Sequence, residues 1–288
     1  AGYPQVRLVT LMAARSHIIV DAAIGPIKGK GTGESTLARS FWDGVPDHCL
    51  LLVDRYFIDY GTMHRFSTTG NDRHWLTRMR NNLVYDVVEE LSEGDVIATV
   101  NLSARARKRS PEAAHKMRVR VIDYEYNGHR QRLFTSMLDA KRWPADNVIE
   151  IYHERWEIEI AYDELKTHML MRKEALRSQK PDGVRQELWG ILLAYNLVRY
   201  RMGLAAKKLA VEPRRMSFMH ALHQVHAFLI ATAWIAAPGL IPKHLDRLDE
   251  RLQSGLLPPR RPCAGFRSNP RRGRRRGLGR LGRLQNHP

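Results

Sequence analysis

The chain has few of the residues that staple small folds together. Its 288 residues include two cysteines, Cys49 and Cys263, far apart and outside any CxxC or Cys/His ligand spacing. That excludes a disulfide framework and a structural zinc site. Long hydrophobic runs are also missing. The longest, LWGILLAYNLV and AFLIATAWIAA, reach about eleven residues, well short of the roughly eighteen needed to span a bilayer. No signal-peptide pattern opens the chain, and no internal repeat is visible. Acidic residues are scarce against basic ones, 30 Asp and Glu to 47 Lys and Arg, for a formal charge of +17. Ten arginines and no acid lie from Arg260 onward, which leaves about +7 on the body. A basic body favours a polyanionic partner, because neutralising phosphates releases condensed counterions. Charge alone fits a ribosomal or membrane-surface protein equally well. The chain reads as cytoplasmic and nucleic-acid-facing, with no membrane partner.

The hydrophobic pattern predicts a mixed α/β chain. Val6 to Met12 and His17 to Ala23 are short apolar β-rich runs, a candidate antiparallel pair. GPIKGKGTGES follows; its register does not fit GxxxxGK[ST], so it reads as a connector before a helix from Ser35 to Trp42. Leu50 to Val53 is a buried-strand run ending on Asp54. A helix from Ile58 to Phe66 and a strand from His74 to Met79 come next. Between 83 and 140 the pattern becomes short alternating runs, a β-rich insertion of antiparallel strands. Helices return over Asp146 to Leu170 and Gly183 to Arg201, then near Ser217 to Ala236 and Lys243 to Leu252. The expected division is 1–82 and 141–203 as core, 83–140 as insertion, 204–258 as a helical region, and 259–288 as a disordered Arg/Gly-rich tail.

The most informative stretch is IYHERWEIEIAYDELKTHML. Taken as one helix at about 100° per residue, it places Tyr152, Arg155, Glu159 and Lys166 within roughly 60° of one another. A carboxylate can hold a divalent cation, while Arg and Lys grip phosphate by fork and by point charge. The set suits a metal-dependent reaction on a phosphodiester. Charged residues on an amphipathic helix are more often a solvated face. Glu154, Glu157, Asp163 and Glu164 also supply acids nearby, so it is the four-point spacing that singles out Glu159.

That spacing, Tyr-x2-Arg-x3-Glu-x6-Lys, resembles the signature of the insertion sequence four family of DDE transposases. The flanks YPQVRLVTLMAARSHIIVDAAIGP, LLVDRYF, RHWLTRMR, LFTSMLDAKRWP and LRSQKPDGVRQELWGILLAYNLVRYRM are similar to that family's core in its usual order, from about Tyr3 to Arg261. The resemblance implies an RNase H-like core with the β-rich insertion before the acid-bearing helix. It implies Asp54 and Glu159 as catalytic, metal-holding acids, with Mg2+ or Mn2+ as cofactor. Tyr152, Arg155 and Lys166 become DNA-binding residues, the two cations turned to a groove and clear of internal ion pairs. The implied partners are double-stranded DNA, as transposon terminal inverted repeats and target, and a second copy in a synaptic homodimer.

The family's first acid precedes the YPQVRLV run, so the first core strand and its Asp are expected to be missing from this chain. Asp21 is the nearest substitute, although it aligns with a non-catalytic position. The leading expectation is a Mg2+-dependent transposase catalytic domain, and the alternative is an inactive DNA-binding fragment. An RNase H-like nuclease unrelated to transposition is disfavoured by the Tyr and Lys positions. The Arg-rich tail is either a non-specific nucleic-acid binder or out-of-frame sequence. Other features weigh less. His220, His223 and His226 spread over about 120° of a helix and read as ordinary surface or packing. Trp156 could stack on a displaced base or pack in the core. The basic loop from Arg105 to Lys116 could track a DNA backbone or be solvated.

Overall fold

A computed structural model describes residues 5–80, 83–109, 115–170, 176–234, 237–259 and 266–267. Strands β1 (Val6–Met12) and β2 (Ile19–Pro26) are followed by a short helix α1 (Glu34–Leu37) that tightens into a 3-10 stretch, Ala38–Gly44. Next come β3 (Cys49–Val53), α2 (Tyr60–Thr68), β4 (Arg73–Arg78), β5 (Asp86–Ser92), β6 (Asp95–Asn101), α3 (Ala104–Arg109), β7 (Lys116–Tyr126) and β8 (His129–Thr135). The helical half holds α4 (Ala145–His153), α5 (Glu157–Asp163), α6 (Pro181–Lys208), α7 (Phe218–Thr232) and α8 (Ile241–Gln253), with a two-residue β9 (Phe266–Arg267) after it. The mixed α/β expectation holds. The segments expected as helices and strands lie close to where the pattern set them.

The chain divides into two compact units, Ala1–Phe41 with Glu154–Pro262, and Trp42–His153 with Cys263–Pro288. The second unit is built on a seven-stranded sheet in the order β3-β4-β8-β7-β6-β5, with β9 added to β7. β3 and β4 run parallel and the other pairs antiparallel. The strands expected as a β-rich insertion continue the sheet of β3 and β4, because β8 pairs with β4 through Leu76, Thr77 and Arg78. β4 pairs with β3 on one edge and β8 on the other, and Trp75, Leu76 and Thr77 are all fully buried, leaving neither face to water. β5, by contrast, is almost wholly exposed and carries Asp86, Glu89 and Glu90, an acidic edge that resists further pairing.

Two close fits fix this unit. Arg120 in β7 is fully buried and uses its whole guanidinium. Nε and Nη2 donate to the two Asp95 carboxylate oxygens at 2.7 and 2.5 Å, and Nη1 donates to the Trp143 carbonyl at 2.6 Å. A buried charge pair is tolerable only when saturated in this way. Gly61 lets α2 approach α3, since a Cβ there would stand 2.5 Å from the Ala106 carbonyl oxygen.

The first unit packs the β1–β2 hairpin with α5, α6, α7 and α8 around one core. Tyr195, Met202, Ala205, Ala221 and Leu252 belong to it. The Asn196 side chain accepts the Ile19 N–H at 2.9 Å and donates to the Ile19 carbonyl at 2.8 Å, tying β2 to α6. Pro181 starts α6, where its missing N–H costs nothing. Ser217 caps α7 by accepting the His220 N–H. Among the described residues no helix is long and apolar enough to cross a membrane.

Candidate active site

Asp54 follows directly on β3, whose CLLLV sequence is apolar throughout. Its carboxylate accepts the Tyr56 N–H at 3.1 Å and its carbonyl accepts the Phe57 N–H at 2.9 Å, a tight turn closed on the acid itself. Arg80, just past β4, clasps the same turn by donating to the Arg55 and Ile58 carbonyls at 2.9 and 3.4 Å. The loop that carries Asp54 is thus pinned at both ends.

The stretch expected as one helix over Asp146 to Leu170 is helical throughout but not one α-helix. α4 ends at His153, a 3-10 turn spans Glu154–Trp156, α5 covers Glu157–Asp163, and a π-helix runs over Glu164–Met169. The i→i+5 bond from the Leu170 N–H to the Leu165 carbonyl marks the wide turn. Narrow and wide turns rotate the chain by different angles per residue, so the projection onto a single face does not hold. Single π-turns inside helices are rare and concentrate at functional sites.

The four signature residues are accordingly not alike in placement. Tyr152 lies in the unit that holds Asp54. It is 7% exposed and packed with Leu76, Ile122, Tyr124, Val148 and Ile149. Arg155, Glu159 and Lys166 belong to the other unit. Glu159 is exposed, its side chain 43% accessible, and Arg155 Nη2 stands 3.1 Å from its Oε1. The expectation that Arg155 is clear of internal ion pairs therefore fails: the i,i+4 spacing brings guanidinium and carboxylate together on one turn. Lys166 is exposed, its ammonium 5.7 Å from the centre of the Tyr162 ring. Tyr162 is itself held by Thr10, its hydroxyl 3.1 Å from Oγ1.

The remaining acids of this stretch face elsewhere. Glu154 pairs with Arg15 and Arg214, each at 3.5 Å, and Asp163 accepts the Thr167 hydroxyl at 2.7 Å. Glu157 and Glu164 are buried. The Glu157 carboxylate is 2.8 Å from His17 Nε2. Glu164 accepts the Tyr195 hydroxyl at 2.8 Å and is ion-paired with Arg199, whose Nη2 also lies 2.6 Å from His17 Nδ1. Burial alone would raise the Glu164 carboxyl. The proximity of His17 and the charge and hydrogen bonds of Arg199 outweigh it and hold the group below its ordinary value. Burial is likewise the main force pushing the Tyr195 phenol up. His17, Tyr195 and Arg199 escape sequence reasoning: Arg199 follows the run LLAYNLV and is succeeded two residues on by Arg201, so nothing in the string separates the buried arginine from its neighbour. This network clamps the inner side of the helix, and Glu159 and Lys166 remain on its outside.

Three lesser expectations are also settled. Trp156 is 60% exposed and lies outside the core. His220 Nε2 is 2.9 Å from the Arg251 carbonyl oxygen, a packing contact between α7 and α8. Asp21 stands within β2 opposite Leu11, not at a strand end, and its carboxylate accepts the Ala22 N–H at 2.7 Å. The basic loop lies partly outside the described residues, as does nearly all of the tail.

Asp54 and Glu159 offer hard oxygen donors of the kind Mg2+ and Mn2+ prefer. Among the described residues no group of three or more His, Cys, Asp or Glu is arranged to hold a metal ion. The donor chemistry of each fits such a cation.

Comparison with known proteins adds to this geometry. Residues 1–197 match the family model described as "Transposase DDE domain", a range that contains Asp54 and the whole four-residue signature. The chain is 37% identical over 265 residues to "Transposase InsG for insertion sequence element IS4" of Escherichia coli K12, across 92% of this chain and 59% of that protein. It is 32% identical over 88 residues to "Putative transposase InsZ" of the same organism, across 31% of this chain and 28% of that protein. No solved structure matches it. The chain thus spans less than two thirds of the length of these relatives. By the family match across residues 1–197 and the identity to InsG, the chain belongs to the DDE transposase domain family.

Proposed function

We propose that this chain is the catalytic part of a transposase that binds transposon-end DNA and, with a divalent cation, serves phosphodiester hydrolysis and strand transfer. The carrying observation is the exposed Glu159 of the Tyr-Arg-Glu-Lys spacing inside the matched family range, and that range also holds Asp54 in a pinned turn after an apolar strand. An RNase H-like core is part of this reading; the family match and, within the second unit, the parallel β3 and β4 with the acid leaving β3 support it. Partners are double-stranded DNA, as terminal repeats and target, and a second copy holding the other end.

Asp54 and Glu159 would hold Mg2+, which when bound supplies charge stabilisation at the scissile phosphate and acidifies an attacking oxygen. Arg155 sits beside Glu159 and is placed to exchange that partner for a phosphate oxygen, a charge-assisted fork that fixes the backbone next to the carboxylate. Lys166 adds a point charge to the same outer surface. In this reading Tyr152, buried in the core of its own unit, would offer its phenol hydroxyl to the DNA backbone. The His17–Glu157 and Glu164–Arg199 pairs hold the inner face of the helix still, so that Glu159 keeps one orientation.

Two carboxylates under-coordinate a cation. The 288-residue chain is therefore expected to bind DNA and cut it poorly. The test is a nicking assay with Mg2+ on plasmid carrying the element's own ends, alongside a mobility-shift assay with the same DNA. Binding without cutting by the chain, with cutting gained when a further acid-bearing strand is supplied upstream, supports the reading. Absence of any DNA binding above that of a neutral control protein overturns it.

A further inference from the structure

Among the described residues β5 pairs only with β6, so its outer edge carries no ladder. Asp86, Glu89 and Glu90 on this strand are exposed, and so is Glu93 in the turn to β6. Among the described residues none of these four acids takes part in an ion pair. Glu89 and Glu90 are consecutive in register, opposite Ile97 and Val96, so they stand on opposite faces of the strand. These acids keep a second β5 off the edge and repel the phosphates of a nucleic acid. What such an edge admits is an extended segment of opposite charge.

β9 brings one to it. Phe266 and Arg267 pair antiparallel with Tyr126 and Glu125 of β7. β8 already takes one edge of those two residues, so β9 lies on the other, which β6 occupies up to Asp95 opposite Ile122. β9 is therefore in line with β6, beyond the β5–β6 turn, and runs in the same direction. The Gly94 carbonyl accepts the Asp123 N–H at 2.7 Å and closes that lane, so the chain after Arg267 must leave it beside the turn. The outer edge of β5 is two strand spacings away, about 10 Å, which three extended residues span. Three residues, Ser268, Asn269 and Pro270, precede the run RRGRRR at 271–276. Laid along β5 from Ser92 back to Asp86, this run is antiparallel to the strand and covers nearly all of its seven residues. Residues 268–288 hold seven arginines and no acid, and they lie outside the described residues.

We propose that the open edge of β5 is the docking surface for this chain's own Arg-rich segment, residues 271–276, added in cis as a cationic edge strand. Arginine and glycine are weak strand formers, so charge carries the contact and salt dissolves it. While docked, the arginines are withheld from phosphates, which makes the edge a built-in restraint on the tail's affinity for polyanions. The contact lies within the second unit and does not rest on the DNA-processing reading, because it forms without DNA or metal.

The experiment is hydrogen–deuterium exchange of the 288-residue chain without DNA, read on peptides covering residues 83–94. The expected result is exchange about fivefold slower at low salt than in about 0.5 M salt, at every protein concentration. Arg271→Gln, Arg272→Gln, Arg274→Gln, Arg275→Gln and Arg276→Gln together should abolish that difference. Glu89→Gln with Glu90→Gln should abolish it too, while exchange in β7 and β8 stays unchanged. Protection that grows with protein concentration would put the tail of a second copy on this edge and overturn the contact in cis. No salt-dependent protection, or protection that survives either set of substitutions, would overturn the docking itself.

Discussion

Arg155 reaches Glu159 one helical turn away, its Nη2 3.1 Å from Oε1. The guanidinium beside the signature carboxylate is therefore occupied in the absence of DNA, and a phosphate must compete with Glu159 for it. An exposed i,i+4 pair contributes only about 0.3–0.5 kcal/mol to stability, so the exchange is cheap. Arg155→Ala should leave the melting temperature nearly unchanged. It should weaken DNA binding and flatten the dependence of log K on log salt by up to about one phosphate contact. The measurement is a salt titration of binding for both proteins. A large loss of thermal stability with an unchanged salt slope would make Arg155 a structural residue only.

The buried Glu164–Arg199 pair has the opposite character. Removing one partner strands the other charge in the core. Arg199→Met should cost about 3–5 kcal/mol in urea unfolding. The Glu164 carboxyl is held below its ordinary value of 4.5. Its contribution is therefore fully present above the unfolded pKa and fades as pH falls below about 4.5 through the folded value. Glu164→Gln should flatten the acid limb of the stability profile. A wild-type-like acid limb in Glu164→Gln would show that the carboxylate is not what acid titrates here.

Gly61 is a backbone approach point. A Cβ 2.5 Å from the Ala106 carbonyl oxygen must push α2 off α3. Gly61→Ala should destabilise the fold by about 1–3 kcal/mol despite its higher helix propensity. Chemical denaturation reads this directly. Stability equal to or above wild type would mean that α3 yields without cost.

Legibility differed by kind of signal. The β1–β2 pair and the strand character of the 83–140 stretch were readable because alternation is local, and β3 because CLLLV admits almost nothing else. The spacing that identifies Glu159 is a string property and survives whatever the helix does. The 3-10 and π turns within it were not readable, since they depend on packing rather than propensity. The pairing of β8 with β4, which merges the expected insertion into one sheet, is a long-range choice that no local pattern encodes. The burial of Tyr152 and the His17–Glu157 and Glu164–Arg199 clamps were hidden for the same reason: each joins residues far apart in the chain.

The most direct measurement is Mg2+-dependent nicking of supercoiled plasmid carrying the element's ends. It compares the 288-residue chain with the same chain extended upstream by an acid-bearing strand, each also as Asp54→Asn and Glu159→Gln. The account predicts DNA binding by every protein, little cutting by the chain alone, and cutting by the extended chain. Either substitution should lower that cutting by orders of magnitude, because metal-held charge acts mainly in the transition state. Robust cutting by the 288-residue chain, or cutting by the extended chain that survives loss of Asp54 or Glu159, would contradict it.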